Sequence, residues 1–296
     1  VANAAAEKHA PNQASEWRRV LAAEFARVYD DVDEARAVLI SGSAATGLAD
    51  SASDIEMTVF WASAPSEETR RRVIEGGGGA ARRLYDYEDD NGDWPDDALL
   101  RGVELQISNR PIAVVETWLA DVVERHETSL VKQDLIAIIQ SGVPVKGGAL
   151  VEAWRAQAAS YPPALTRAIV AEHLWFVAAW NRNKLAARNE LVLFYEDAAA
   201  SAKRLFLVWL ALSGVYLPHL GFKWMEQTIV GLPVAPTDAA RRVRIVFEAP
   251  LAEGALALNA LIAETFDLVA SYLPDVDIAE ARADFFRERP TRDAPP

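Results

Sequence analysis

Cysteine is absent from all 296 residues. That excludes disulfides, thiolate zinc sites and thiol nucleophiles, and it fits a reducing compartment, so a cytoplasmic location is expected. Histidine is scarce: His9, His126, His173 and His219 are the four in the chain, and they share no metal-ligand spacing. His173, inside the apolar "EHLWF", reads as a helix residue rather than a catalyst. Long hydrophobic runs are missing too. The densest, "LFLVWLAL" at 205–212, falls well short of the roughly 20 residues that span a bilayer and follows Lys203 and Arg204. The opening "VANAAAEKHAPNQ" is polar and Ala-rich, without the pattern of a secretory leader. No membrane partner is therefore expected. Basic residues are outnumbered, leaving a net charge of −13. That works against gripping a phosphate backbone, so no nucleic-acid partner is expected. An acidic chain can draw in a cationic substrate at long range, and it can equally be acidic only for solubility.

What is present is the balance of a globular protein, 51% hydrophobic and 25% charged, with enough chain for one large domain or two medium ones. The spacing predicts an α+β protein in two parts. A mixed α/β domain over 14–148, a mixed sheet with flanking helices, precedes an all-helical bundle over 149–286; the tails 1–13 and 287–296 are expected to be disordered. In the first part, Trp17, Val20, Leu21, Phe25, Val28 and Tyr29 recur at helical spacing. Strands are predicted at 37–40, 55–61 and 103–108, and helices from Pro65, over 111–124 and over 128–140. "SGVPVKGG" at 141–148 reads as a linker. Helical periodicity then continues over 149–159, 163–187, 189–213, 222–231, 236–246 and 251–272, the pattern of an antiparallel bundle.

The segment "VLISGSAATGLADSASDIEMTVF" (38–60) carries the chemistry. Gly42 and Ser43 follow a strand, and a small-residue turn opening a short helix lets backbone N–H groups approach phosphate oxygens. Gly42 and Gly47 have P-loop spacing, but Leu48 and Ala49 stand where that loop needs Lys and Ser or Thr. Ten residues after Ser43 come Asp54 and Glu56, separated by Ile55. In a strand they share a face, and two carboxylates that close resist ionising unless a cation sits between them. Mg²⁺ shared between protein and nucleotide suits such a pair, in a two-metal arrangement that stabilises both attacking and leaving oxygens. Glu104, in the 103–108 strand, could complete the metal site or deprotonate the attacking hydroxyl if the strands are neighbours; it could equally be an exposed strand acid.

The Gly-Ser turn, the ten-residue gap and Asp-Ile-Glu between apolar residues resemble the signature of the polymerase-β-like nucleotidyltransferase superfamily. The wording "GLADSASDIEMTVFW" is particularly similar to its antibiotic-type and minimal members. The common small-molecule version has Asp at the second acid; Glu56 departs from it, and Asp-x-Glu occurs elsewhere in the superfamily. The resemblance implies that Gly42 and Ser43 hold the triphosphate while Asp54, Glu56 and often a third acid, here Glu104, bind Mg²⁺. It implies transfer of a nucleoside monophosphate, AMP from ATP in the first instance, to a small-molecule hydroxyl with release of pyrophosphate. An aminoglycoside-like acceptor, and hence antibiotic resistance, is the specific expectation. A protein or tRNA acceptor, or a non-catalytic nucleotide-binding regulator, are the alternatives. Related enzymes draw the acceptor's base from a helical-domain Glu, which puts Glu190 beside Glu104 for that role. Lys223, in "YLPHLGFKWM", is a candidate for the nucleotide phosphates.

One further stretch is conspicuous. "YDYEDDNGDWPDD" (85–97) alternates acids as a calcium loop does, but Asn91 stands where the obligatory Gly belongs. It reads as a solvated surface loop in preference to one overhanging a cleft.

Overall fold

The computed structural model describes residues 12–289, and the chain divides by internal contact into two units, with the boundary after Ser160. The fold class is α+β, as expected. The tails fall outside the described residues except at their inner ends, where Gln13 opens the first helix and Asn12 caps it, its side chain accepting from the Ser15 N–H at 2.8 Å.

The first unit runs α1 (Gln13–Ala26), β1 (Ala35–Ser41), α2 (Gly42–Thr46), β2 (Ile55–Trp61), α3 (Glu67–Gly76), β3 (Gly79–Leu84), β4 (Trp94–Leu100), β5 (Val103–Pro111), α4 (Ile112–Val123), α5 (Leu130–Ser141), β6 (Val143–Lys146) and α6 (Gly148–Gln157). The strands form one sheet in the order β3-β4-β5-β2-β1-β6. Among the described residues β2 and β5 pair in parallel and the other strand pairings are antiparallel.

Alternation sorts the side chains of the central strands. Val38 and Ile40 of β1, Ile55, Met57, Val59 and Trp61 of β2, and Leu105 and Ile107 of β5 face a core closed by Ala22, Phe25 and Tyr29 near α1 and by Val73 and Ile74 of α3. The opposite face is covered over part of its length, where Phe60 packs edge-on against Trp154 of α6 at 4.9 Å. Towards β3 it carries exposed polar residues.

Several elements differ from expectation. Trp17 and Val20 are exposed, and the buried stripe of α1 is Ser15, Arg18, Ala22, Phe25 and Ala26. The 141–148 stretch is no open linker: β6 pairs with β1 along it, and Gly147, at φ +66°, turns the chain into α6. The acidic stretch holds a tight hairpin, with Glu88 bridged to Asp93 and Gly92 at φ +67° beneath Trp118, and then becomes β4 itself.

The second unit is helical: α7 (Pro163–His173), α8 (Ala179–Ala187), α9 (Leu191–Ser213), α10 (Met225–Val230), α11 (Ala239–Glu248), α12 (Leu251–Tyr272) and α13 (Ala279–Phe286). The predicted helix over 163–187 is interrupted, since residues 174–178 are non-helical. Among the described residues, α12 is long and apolar enough to cross a membrane. Its Leu258, Leu261, Ile262, Phe266 and Val269 are buried in the bundle, and Thr265 accepts from the Trp209 indole at 2.9 Å. Inside the bundle Arg182 is wholly buried; it donates to Asp197 (2.6 Å), Asn259 (2.6 Å) and Ser201 (3.1 Å).

Candidate active site

β1 ends at Ser41 and the chain turns at once into α2. The turn depends on Gly42, whose φ of +60° is disfavoured for residues with a side chain. A second constraint is steric: a β-carbon on Gly42 would lie 1.2 Å from Glu56 Oε2. The Glu56 carboxylate therefore lies where a side chain at 42 would have to be. Ser43 follows in the first turn of α2 and is buried; Gly47, at φ +85°, ends that helix. Gly42, Ser43 and Glu56 are thus brought together by the β1–α2 corner and by the pairing of Ser41 with Glu56.

Asp54 sits just before β2, two residues from Glu56, with Ile55 between them buried in the core. The loop that carries it is held by α1. Arg18 donates to the Ser53 carbonyl through Nε (2.9 Å) and Nη2 (2.6 Å). Ser15 Oγ accepts from the Ala49 N–H (3.1 Å), and Arg19 donates to the Ala44 and Ala45 carbonyls of α2, both at 2.6 Å. Within the loop Asp50 accepts from the Ala52 N–H at 2.9 Å, and these local donors hold its carboxyl below the usual range. These supports were not singled out from the sequence, although one signal existed: Ser15 and Arg18 occupy the phase of the stripe α1 buries, where polar residues need a partner.

The third acid comes from the neighbouring strand. Ile55 pairs with Leu105, so one residue upstream Glu104 is level with Asp54 on the same face. Its side chain is about half exposed and is ion-paired to Arg82 of β3 at 3.1 Å. Among the described residues no group of three His, Cys, Asp or Glu is arranged to hold a metal. Directly opposite Glu56 stands Gln106. The register continues outward from there: Gln106 pairs with Asp97 of β4, and Asp97 with Arg83 of β3. Ser41, Glu56, Gln106, Asp97 and Arg83 thus form one polar row across five strands. Asp97 accepts from the Tyr85 hydroxyl at 2.9 Å, and this bond raises the Tyr85 pKa above its usual value.

The other two candidates lie in the helical unit. Glu190 is the exposed residue preceding α9, and Lys223 occupies the turn before α10 with its ammonium 5.8 Å from the Trp224 ring. In that turn Phe222 and Trp224 both adopt φ +54°, and burial followed by the nearby Lys223 charge lowers the His219 pKa. The same unit has a concavity of about 250 Å³ lined by Trp175, Phe176, Trp180, Asn181, Asp284 and Arg287 among others.

Asp54 and Glu56 offer hard carboxylate oxygens, and the register sets Ser41 and Gln106 on the strands either side of Glu56. Such a set suits Mg²⁺, which keeps waters and substrate phosphates in much of its coordination shell.

A family described as "Domain of unknown function (DUF4037)" matches residues 128–225. No curated protein sequence matches the chain. Among solved structures, the chain is similar to a nucleotidyltransferase-like protein from Exiguobacterium sibiricum 255-15, with 12% identity and a TM-score of 0.36, covering 88% of this chain and 79% of that one. It is also similar to an aminoglycoside 6-adenyltransferase from Bacillus subtilis, with 10% identity and a TM-score of 0.30, covering 85% and 89%.

Proposed function

We propose that this protein is a Mg²⁺-dependent nucleotidyltransferase that moves a nucleoside monophosphate, AMP from ATP, to a hydroxyl of a small molecule and releases pyrophosphate. The observation that carries the reading is the packing of the Glu56 carboxylate into the space left by Gly42, which joins the Gly-Ser corner to the Asp54–Glu56 pair. Bound divalent ions would supply charge neutralisation at the α-phosphate and at the leaving pyrophosphate. The residues do the rest. Asp54 and Glu56 supply the carboxylate ligands, and Ser43 with the backbone amides at the start of α2 receives the triphosphate. In the step itself, the acceptor oxygen forms a bond to the α-phosphorus while the bond to the pyrophosphate oxygen breaks. The acceptor's proton passes to a carboxylate. Glu104, level with Asp54 on the same face, is assigned that proton, with Glu190 as the alternative. Lys223 is assigned to the nucleotide phosphates. An aminoglycoside-like, cationic acceptor accords with the net charge of −13.

A pyrophosphate-release screen tests the reading: four nucleoside triphosphates against aminoglycosides, lincosamides and other hydroxylated metabolites. Acceptor-dependent release with at least one pair is expected, and Asp54→Asn should abolish it while leaving the circular dichroism spectrum unchanged. Release that persists undiminished in Asp54→Asn rejects the metal role. Tight nucleotide binding with no release would favour the non-catalytic regulator, and label appearing on protein bands would favour a protein acceptor.

A further inference from the structure

Residues 174–178 interrupt the helix predicted over 163–187, and α8 starts afresh at Ala179. Ala178 stands at its cap, so the N-terminus has no capping side chain, and its first turn has no acid. Such an end carries N–H groups without intrahelical partners and a partial positive charge. Ala178, Trp180 and Asn181 line the concavity of about 250 Å³ in the helical unit, together with Trp175, Asp284 and Arg287. We infer that this concavity is a binding site for a small organic anion, a compact carboxylate or phosphate head on an apolar body. The inference stands whether or not Asp54 and Glu56 hold a metal.

Charge carries it. Arg287 lines the concavity, and three more cations border its two indoles. Lys184 lies 5.1 Å and Arg289 5.0 Å from the Trp180 ring, and Arg204 lies 4.6 Å from the Trp175 ring. None of these four is ion-paired with a described carboxylate, in a chain whose net charge is −13. Cations gathered without acids attract an anion from solution, and a guanidinium beside a helix N-terminus gives its head group charge-assisted hydrogen bonds. Asp284, exposed on α13, is the one carboxylate among the lining residues. The Trp180 indole nitrogen is buried without a hydrogen-bond partner, a donor that a ligand oxygen beside the ring would satisfy. The apolar body has a surface of its own: Trp175, at 53% exposure, is a flat wall that gains by being covered. The volume is below the roughly 300–1,000 Å³ of pockets for drug-sized ligands, which limits that body to about one ring.

Isothermal titration calorimetry of the intact protein with phenylacetate, phenyl phosphate, phenylacetamide and phenethylamine varies the charge at constant body. At least one of the two anions should bind about tenfold or more tighter than the neutral amide, and the amine more weakly still. The tighter anion identifies the head group. Arg287→Gln should weaken it about fivefold or more, whereas Arg72→Gln, at an exposed arginine of α3, should stay within about twofold of the parent. Asp284→Asn should tighten it about twofold, a gain that misfolding does not produce. The Trp180 indole N–H resonance, assigned by its loss in Trp180→Phe, should shift as the anion is added. Asp54→Asn should bind the anion as the parent does, and saturating ATP with Mg²⁺ should not displace it. Binding of phenylacetamide or phenethylamine as tight as that of both anions overturns the inference, as does anion affinity unchanged in Arg287→Gln. Displacement by ATP, or no anion binding at about 10 mM, overturns it as well.

Discussion

Gly42 is the residue on which the corner turns, for two separable reasons. Its φ of +60° is unfavourable for a side chain, and a β-carbon there would displace the Glu56 carboxylate. Gly42→Ala is expected to cost about 1 kcal/mol of stability from the backbone alone and, by moving Glu56, to reduce Mn²⁺ affinity at least tenfold. A thermal melt reads the first effect, and titration of the protein with Mn²⁺ followed by electron paramagnetic resonance reads the second. Arg18 acts one step back. It is buried and bonded twice to the Ser53 carbonyl beside Asp54, so Arg18→Ala should destabilise the fold by about 2 kcal/mol and loosen the Asp54 loop, seen as faster amide exchange over 50–54. At this scale much was legible from sequence. Gly42, Ser43, Asp54 and Glu56 lie within fifteen consecutive residues, and strand alternation alone puts the two acids on one face. The neighbour of β2 was not legible: the parallel register with β5 that sets Glu104 level with Asp54 depends on a pairing that nothing local encodes.

Among the elements, β4 and β6 show why some strands stayed hidden. β4 reads "WPDDALL", with a proline and two aspartates, and its alternation runs against the usual pattern because Asp96 points into the core. Asp96 is accommodated there by an ion pair with buried Arg70 and by the Asn109 amide at 2.7 Å, while Asn109 in turn accepts from the Trp61 indole at 3.0 Å. β6 has four residues and hides in a stretch rich in Gly and Pro, and only its pairing with β1 defines it. The three strands expected at 37–40, 55–61 and 103–108 have the apolar runs or clean alternation that β4 and β6 lack. Asp96 also carries a pH signature. Burial pushes its carboxyl from 3.8 up to about 6, so the folded state holds a proton that the unfolded chain has released between those values. Stability from this group is therefore present below about pH 4 and is lost as pH rises to about 6, by at most about 3 kcal/mol. Asp96→Asn should lower the melting temperature overall, since Arg70 loses its partner, yet flatten the change in melting temperature between pH 4 and 6 relative to the parent. A slope as steep in the variant as in the parent would remove Asp96 from the account.

For the whole molecule, composition and periodicity conveyed the order of the two parts, sheet first and helices after. The sheet unit and the helical unit each have their own buried core, and each can be perturbed from within. In the helical unit, Arg182 is fully buried against Asp197. Arg182→Ala leaves a carboxylate without its partner and should cost that unit about 3–5 kcal/mol. Hydrogen exchange should then show lost protection across α8, α9 and α12, with β1, β2 and β5 unchanged. The central claim, however, is chemical: Asp54 and Glu56 hold the metal that moves a nucleoside monophosphate. The most direct measurement follows label from α-phosphate-labelled ATP onto an acceptor found in the pyrophosphate screen, with the parent, Asp54→Asn and Glu56→Gln side by side. The account predicts transfer by the parent and a fall of at least about a thousandfold in both variants, each still folded. Transfer by Asp54→Asn within tenfold of the parent would contradict it.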